Sequence, residues 1–156
     1  MEPDKKVNKE THWSVYVLIP IVAILIFKHF FPYFRVVSNS MEPTIYKSAY
    51  AITSRYAYRN ESINRGDIVV FKPSSQIFNQ GAWMHRIIAV EGDEVIIENG
   101  LVYVNSKFAQ FKDLIHKKKV NIVVPEDYIF QKGDNRDTIY GLVPKKDIIG
   151  KVIWHN

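Results

Sequence analysis

Apolar positions follow two different patterns along the chain. From Trp13 to Phe27 they run without a formal charge, WSVYVLIPIVAILIF. A helix rises 1.5 Å per residue, so this run reaches about 22 Å, short of a hydrocarbon core of roughly 30 Å. Carried on through Lys28, His29 and the cluster Phe30, Phe31, Pro32, Tyr33, Phe34, it reaches about 33 Å. The longer span requires Lys28 to snorkel its ammonium to the interface. Trp13 and Tyr16 at one end, and the Phe/Tyr cluster at the other, match the aromatic belts of a spanning helix. Pro20, costly inside a soluble helix, is tolerated in membranes. These features predict an uncleaved transmembrane anchor over residues 13–34, behind a short cytoplasmic tail, residues 1–12. A cleaved signal peptide competes, since Lys5, Lys6 and Lys9 make an n-region, but Lys-His-Phe-Phe-Pro follows where a small-x-small site is required. A buried helix of a soluble protein is the third reading. Counting basic residues favours a cytoplasmic N-terminus only slightly.

Beyond about residue 35 the pattern changes to short strands. IVVF (68–71), HRIIAV (85–90), EVIIE (94–98), LVYV (101–104), NIVV (121–124) and DYIF (127–130) are rich in β-branched and aromatic residues. Asn99-Gly100 between two of them is a two-residue hairpin signal, because a type I′ turn needs positive φ at both centres. Gly-Asp pairs at 66–67, 92–93 and 133–134 mark further turns. Lys107–Lys119, with its HKKK run, reads as a solvated or membrane-surface loop. The predicted fold class is therefore mainly β: one antiparallel β-sheet domain over residues 35–156, behind one N-terminal transmembrane helix. Neither a repeat nor a low-complexity segment interrupts it.

Composition narrows the chemistry. With 156 residues, 47% of them apolar, the chain can pack one core. It holds no cysteine, which excludes disulfides, thiolate metal ligands and a thiol nucleophile. The net charge of +5 suits anionic lipid head groups as readily as nucleic acid. His12, His29, His116 and His155 lack metal-ligand spacing, and nothing indicates a nucleotide loop or base-stacking surface. The expected partners are a lipid bilayer and no nucleic acid, with no cofactor and no metal.

Directly after the aromatic cluster comes Ser38-Asn39-Ser40-Met41-Glu42-Pro43-Thr44. Two hydroxyls lie within one turn at the bilayer surface, and Pro43 holds the chain after Ser40 in a non-helical path. A serine nucleophile needs a base within hydrogen-bond reach, either an Asp/His pair or an amine. Turn or cap serines are the plainer alternative.

SNSMEPT (38–44), RGDIVVF (65–71), HRIIAVEGDEV (85–95) and GDNRD (133–137) stand in the order and similar spacing seen in type I signal peptidases. The segment GLVPKKDIIGKVIW (141–154) also looks like that family's C-terminal stretch. One such box is weak, since the self-cleaving repressor proteases share SMxPT. Four in order behind a membrane span resemble the signal peptidases over essentially the whole chain. The resemblance implies a signal-peptidase-type β fold and a membrane-anchored serine endopeptidase that removes signal peptides from exported preproteins. It implies Ser40 as nucleophile, with the Ser38 hydroxyl and the Ser40 N–H forming the oxyanion hole. His85 stands where most bacterial members carry a lysine base, as in members resembling the endoplasmic-reticulum and archaeal branch. Arg86 matches a mainly structural arginine. Location in the cell membrane, single-pass with the catalytic domain extracytoplasmic, also comes from this likeness.

Two departures bear on the base. Histidine, with an ordinary pKa near 6.5, needs less tuning than lysine to accept a proton at neutral pH. The usual Ser-x-Asp-x-Arg continuation after the GDNRD box is missing, and with it the serine that contacts the lysine. A histidine base gains from a carboxylate that fixes its tautomer; Asp134 is the first candidate for that role and Asp137 the second. His85 as a satisfied strand histidine, and both aspartates as turn stabilisers, are the structural alternatives. Arg65-Gly66-Asp67 lies in a strand-entry turn rather than an adhesion site. Ile77, Phe78 and Trp83 suit either an apolar membrane-facing rim or the core. The rival functional reading is a catalytically silent relative, acting as a chaperone or assembly factor for pilins or other exported proteins.

Overall fold

The computed structural model describes residues 13–73, 81–112, 119–135 and 138–156. It opens with α1 (Trp13–Phe30), an apolar helix none of whose residues is buried in the protein. By length and composition α1 can cross a membrane; its rise is about 27 Å. The helix ends four residues before the Phe34 boundary read from the sequence. Pro32 accounts for this, because the residue before a proline is pushed out of the α region. The Phe31 N–H makes a last helical bond to the Phe27 carbonyl at 2.8 Å, and the chain straightens into β1 (Tyr33–Arg35).

The remaining elements are β2 (Tyr50–Ser54), the short α2 (Ala57–Asn60), β3 (Ile68–Phe71), β4 (Trp83–Val90), β5 (Glu94–Glu98), β6 (Leu101–Val104), β7 (Lys107–Lys112), β8 (Val120–Val123), β9 (Tyr128–Lys132), β10 (Tyr140–Pro144) and β11 (Ile148–His155). They form a seven-stranded sheet in the order β1-β2-β11-β3-β4-β9-β10 and a four-stranded sheet in the order β7-β6-β5-β8. Every strand pairing is antiparallel. The mainly antiparallel β fold expected from the sequence is thus present.

Strand alternation builds the core. Val95 and Ile97 of β5, with Val102 and Val104 of β6, turn inward onto Ile88, Ala89 and Phe130. The run Ile87-Ile88-Ala89 breaks strict alternation, yet all three are buried. A register shift between Ile87 and Ala89 against β9 adds the extra residue that lets consecutive side chains reach apolar surroundings. A second cluster joins Val69, Phe71, Ile87, Ile129 and Val143 beneath the larger sheet. Asn99 and Gly100 both adopt positive φ, 52° and 74°, as the type I′ hairpin requires. β7 carries no strand signal of its own. Lys107–Lys112, expected as part of a solvated loop, pairs with β6 instead, across a second tight turn in which Asn105 and Ser106 have φ of 49° and 63°. The remainder of that expected loop to Lys118 lies outside the described residues; Lys119 is exposed and pairs with Glu98 at 3.1 Å.

Candidate active site

The turn carrying Ser40 is held down by its own apolar residues. Met41 and Ile45 are fully buried and pack with Val36, against Ala49, Ile68 and Met84. The Ile45 N–H closes the turn on the Met41 carbonyl at 2.9 Å. With Met41 drawn inward, Ser40 stays partly exposed, and its Oγ lies 3.0 Å from the Ser38 Oγ.

A second clamp comes from the loop after β9. The Asn135 N–H and the Thr138 hydroxyl donate to the Ser40 carbonyl at 3.0 and 3.3 Å. The Asn135 amide donates to the Asn39 carbonyl at 3.1 Å. Gly133 is required by this close approach, since a Cβ there would collide with the Ser40 carbonyl oxygen and with Thr138. Lys132, only 1% exposed, sends its ammonium to the carbonyls of Asn135 and Thr138 at 3.4 and 3.2 Å. A buried cation is tolerated only when hydrogen-bonded, and here its bonds tie down the loop that grips the serine turn.

His85 sits on β4, opposite Val69 of β3, and is 3% exposed. The rings of Phe71 and Trp83 each stand 5.8 Å from the imidazole, centre to centre. Trp83 thus packs on Phe71 and on the histidine, half-buried; Ile77 and Phe78 lie outside the described residues. Nδ1 of His85 is 2.5 Å from Oε1 of Gln131. Burial pushes the His85 pKa down from 6.5 to about 4; the Gln131 bond opposes this, the Lys132 charge reinforces it, and the Asp134 charge opposes it.

Asp134 faces elsewhere. Its two carboxylate oxygens take Nε and Nη2 of Arg86 at 2.8 and 2.6 Å, and Oδ2 also accepts the Thr44 hydroxyl at 2.5 Å. Arg86 further donates to the Gly66 carbonyl at 2.7 Å. Nδ1 of His85, where sequence reasoning looked for Asp134, meets Gln131; the Asp134 oxygens are taken by Arg86 and Thr44, and Asp134 acts on His85 through its charge. Asp137, the second candidate, lies outside the described residues. The Arg65-Gly66-Asp67 segment is structural. The Arg65 Nε bonds Asp93 at 2.6 Å, while Asp67 accepts the Tyr58 hydroxyl at 3.0 Å and pairs with Lys151 at 3.0 Å.

Ser38, Ser40 and His85 line one cavity of about 470 Å³, shared with Val36, Val70 and Ile139. No hydrogen bond joins Ser40 to His85 among the described residues. Free hydrolases often show this looser arrangement, which tightens when substrate is bound. Paired hydroxyls, a buried imidazole and a cavity of mixed polar and apolar lining suit nucleophilic acyl transfer.

The family model described as signal peptidase, peptidase S26 matches residues 9–155, and the chain belongs to that family. A probable signal peptidase I-2 of Synechocystis is 34% identical over 73% of this chain and 57% of its own length. A second Synechocystis protein, probable signal peptidase I-1, is 28% identical over 88% of this chain and 77% of that one. Signal peptidase I P of Bacillus subtilis subsp. natto is 27% identical over 94% of this chain and 90% of its own. Among solved structures, a signal peptidase I from Enterococcus faecalis aligns with 58% of this chain and 97% of that one, at 22% identity and a TM-score of 0.43.

Proposed function

We propose that this chain is a membrane-anchored serine endopeptidase that removes signal peptides from exported preproteins, with Ser40 as nucleophile and His85 as general base. The observation that carries the reading is that Ser38, Ser40 and the buried His85 line one cavity. Ser40 Oγ attacks the scissile carbonyl while His85 takes its proton. The oxyanion is held by the Ser38 hydroxyl and by the Ser40 N–H, which makes no hydrogen bond among the described residues; such donors supply about 3 kcal/mol each. His85 then returns the proton to the leaving amine, and water, activated the same way, hydrolyses the acyl-enzyme. Asp134 serves by fixing Arg86 and the loop behind Ser40, so its effect on the reaction is indirect. The anchor spans the bilayer with residues 35–156 on the extracytoplasmic side, where the signal segment of a preprotein ends.

The full-length protein, reconstituted in lipid, should cleave a preprotein with an Ala-x-Ala site. Activity should be lost in Ser40→Ala and fall by about a hundredfold or more in His85→Ala. The acid limb of kcat/KM should lie near pH 4, well below the 6.5 of an ordinary histidine. Undiminished cleavage by His85→Ala would mean another base. A folded wild type that binds preproteins without cutting any would select the silent, chaperone-like relative.

A further inference from the structure

From the register of β4 and β9 we infer that Gln131 is the positioning residue of the His85 base, the neutral counterpart of the carboxylate in a serine triad. The inference rests on His85 serving as the base, and it adds how that base is held. Ile87 faces Gln131 across the ladder. His85 lies two residues from Ile87 on the same face, so Gln131 is its diagonal neighbour, within reach of a long side chain. The side chain closes that gap, with Oε1 2.5 Å from Nδ1. A carboxamide oxygen carries no hydrogen, so at this distance Nδ1 must be the donor. The imidazole is thereby fixed as the Nδ1–H tautomer, and the lone pair stands on Nε2, the nitrogen a base must keep free. Nε2 makes no hydrogen bond among the described residues.

A neutral partner orients the ring without doing what a carboxylate would do for the imidazolium. The charged groups that act on His85 are Lys132, at the end of β9, and Asp134, in the loop beyond it; their effects oppose one another. The faces supplied by β3 and by Trp83 are apolar or aromatic. Gln131 can therefore fix the geometry while burial sets the proton affinity, and the base stays unprotonated into acidic conditions. Lysine-based relatives have no tautomer to fix, so a histidine base creates a need that the lysine position lacks.

The test compares wild type, Gln131→Leu and Gln131→Glu as full-length protein in lipid, reading kcat and KM for the Ala-x-Ala preprotein from pH 4 to 9. Gln131→Leu should lower kcat about tenfold or more at pH 7, with KM little changed, because the tautomer is no longer held. Gln131→Glu should move the acid limb up by a unit or more, since a carboxylate favours the imidazolium. A purely structural glutamine would lower activity without moving that limb, and this result overturns the proposal. Imidazole nitrogen NMR of Ser40→Ala protein, with Gln131 intact, reads the tautomer without any Gln131 variant having to fold. A protonated Nδ1 is expected; a protonated Nε2 overturns the assignment. If His85→Ala cleaves like wild type while NMR finds the Nδ1–H form, the reading of His85 as base fails, and Gln131 positions no base. If His85 is essential but both Gln131 variants match wild type in rate and pH profile, only the role of Gln131 falls.

Discussion

A histidine kept neutral by burial couples proton binding to folding. Unfolded, His85 binds its proton near pH 6.5, whereas folded it does so only near pH 4. Between those values the unfolded chain holds the extra proton. The stability gained from a neutral His85 is therefore complete above about pH 6.5 and is lost as pH falls toward 4. The gap corresponds to about 3 kcal/mol at most. Urea midpoints recorded from pH 7 to 4 should fall for wild type and fall less for His85→Gln, which cannot titrate there. The Arg86–Asp134 pair contributes differently. Its bidentate geometry joins a strand residue to the loop behind Ser40, and Asp134 uses both oxygens to do so.

At the level of elements, the loop after β9 works as a clasp over the serine turn. Gly133→Ala should force that clasp open, because the new Cβ meets backbone and a β-branched side chain, neither of which can swing away. A loss of about 2 kcal/mol is expected, of the size seen for overpacked sites. Cleavage per folded molecule should also drop, and thermal melts run beside the assay would separate the two effects. The clasp also shows what the sequence could convey. The serine box, the strand of His85 and the GDN box were legible because their motifs are contiguous. β3, β5 and β6 were legible to the residue, since β-branched runs bounded by Gly or Asn carry their own signal. Gln131 and Lys132 were not. The strand signal faded at Phe130, and a polar residue beyond it becomes meaningful only once the β4–β9 register is known. β1 and β2 were hidden for a related reason: Tyr33–Arg35 and Tyr50–Ser54 are short, and pair with each other across the serine turn. β7 begins and ends with lysine, and only β6 beside it makes it a strand.

For the molecule as a whole, the junction of α1 with the β domain sets how the cavity is held relative to that helix. Phe30 stacks on Tyr56 with ring centres 4.6 Å apart. The Arg55 N–H donates to the Phe30 carbonyl at 3.2 Å, and the Thr53 N–H to the Pro32 carbonyl at 2.9 Å. The helix end is thus bonded to β2 and the segment after it rather than hinged. Inserting two glycines between Phe31 and Pro32 should free the domain from its anchor. Cleavage of a membrane-inserted preprotein should then fall roughly tenfold, as lost orientation predicts. Hydrolysis of a short soluble peptide should change little; equal losses on both substrates would show that the insertion had damaged the fold instead.

The larger sheet joins strands that lie far apart in the sequence. β11 lies between β2 and β3, so the ladder from the anchor-side strands to the strand bearing His85 runs through the last strand of the sequence. Ser40 hangs from the first half and His85 from the second. The two halves are joined in one sheet only when β11 pairs with β2 on one side and with β3 on the other. Contacts so distant in sequence form slowly. The frame that carries Ser40 and the frame that carries His85 therefore become one sheet only when β11 is in place, which makes that strand the keystone of the candidate site.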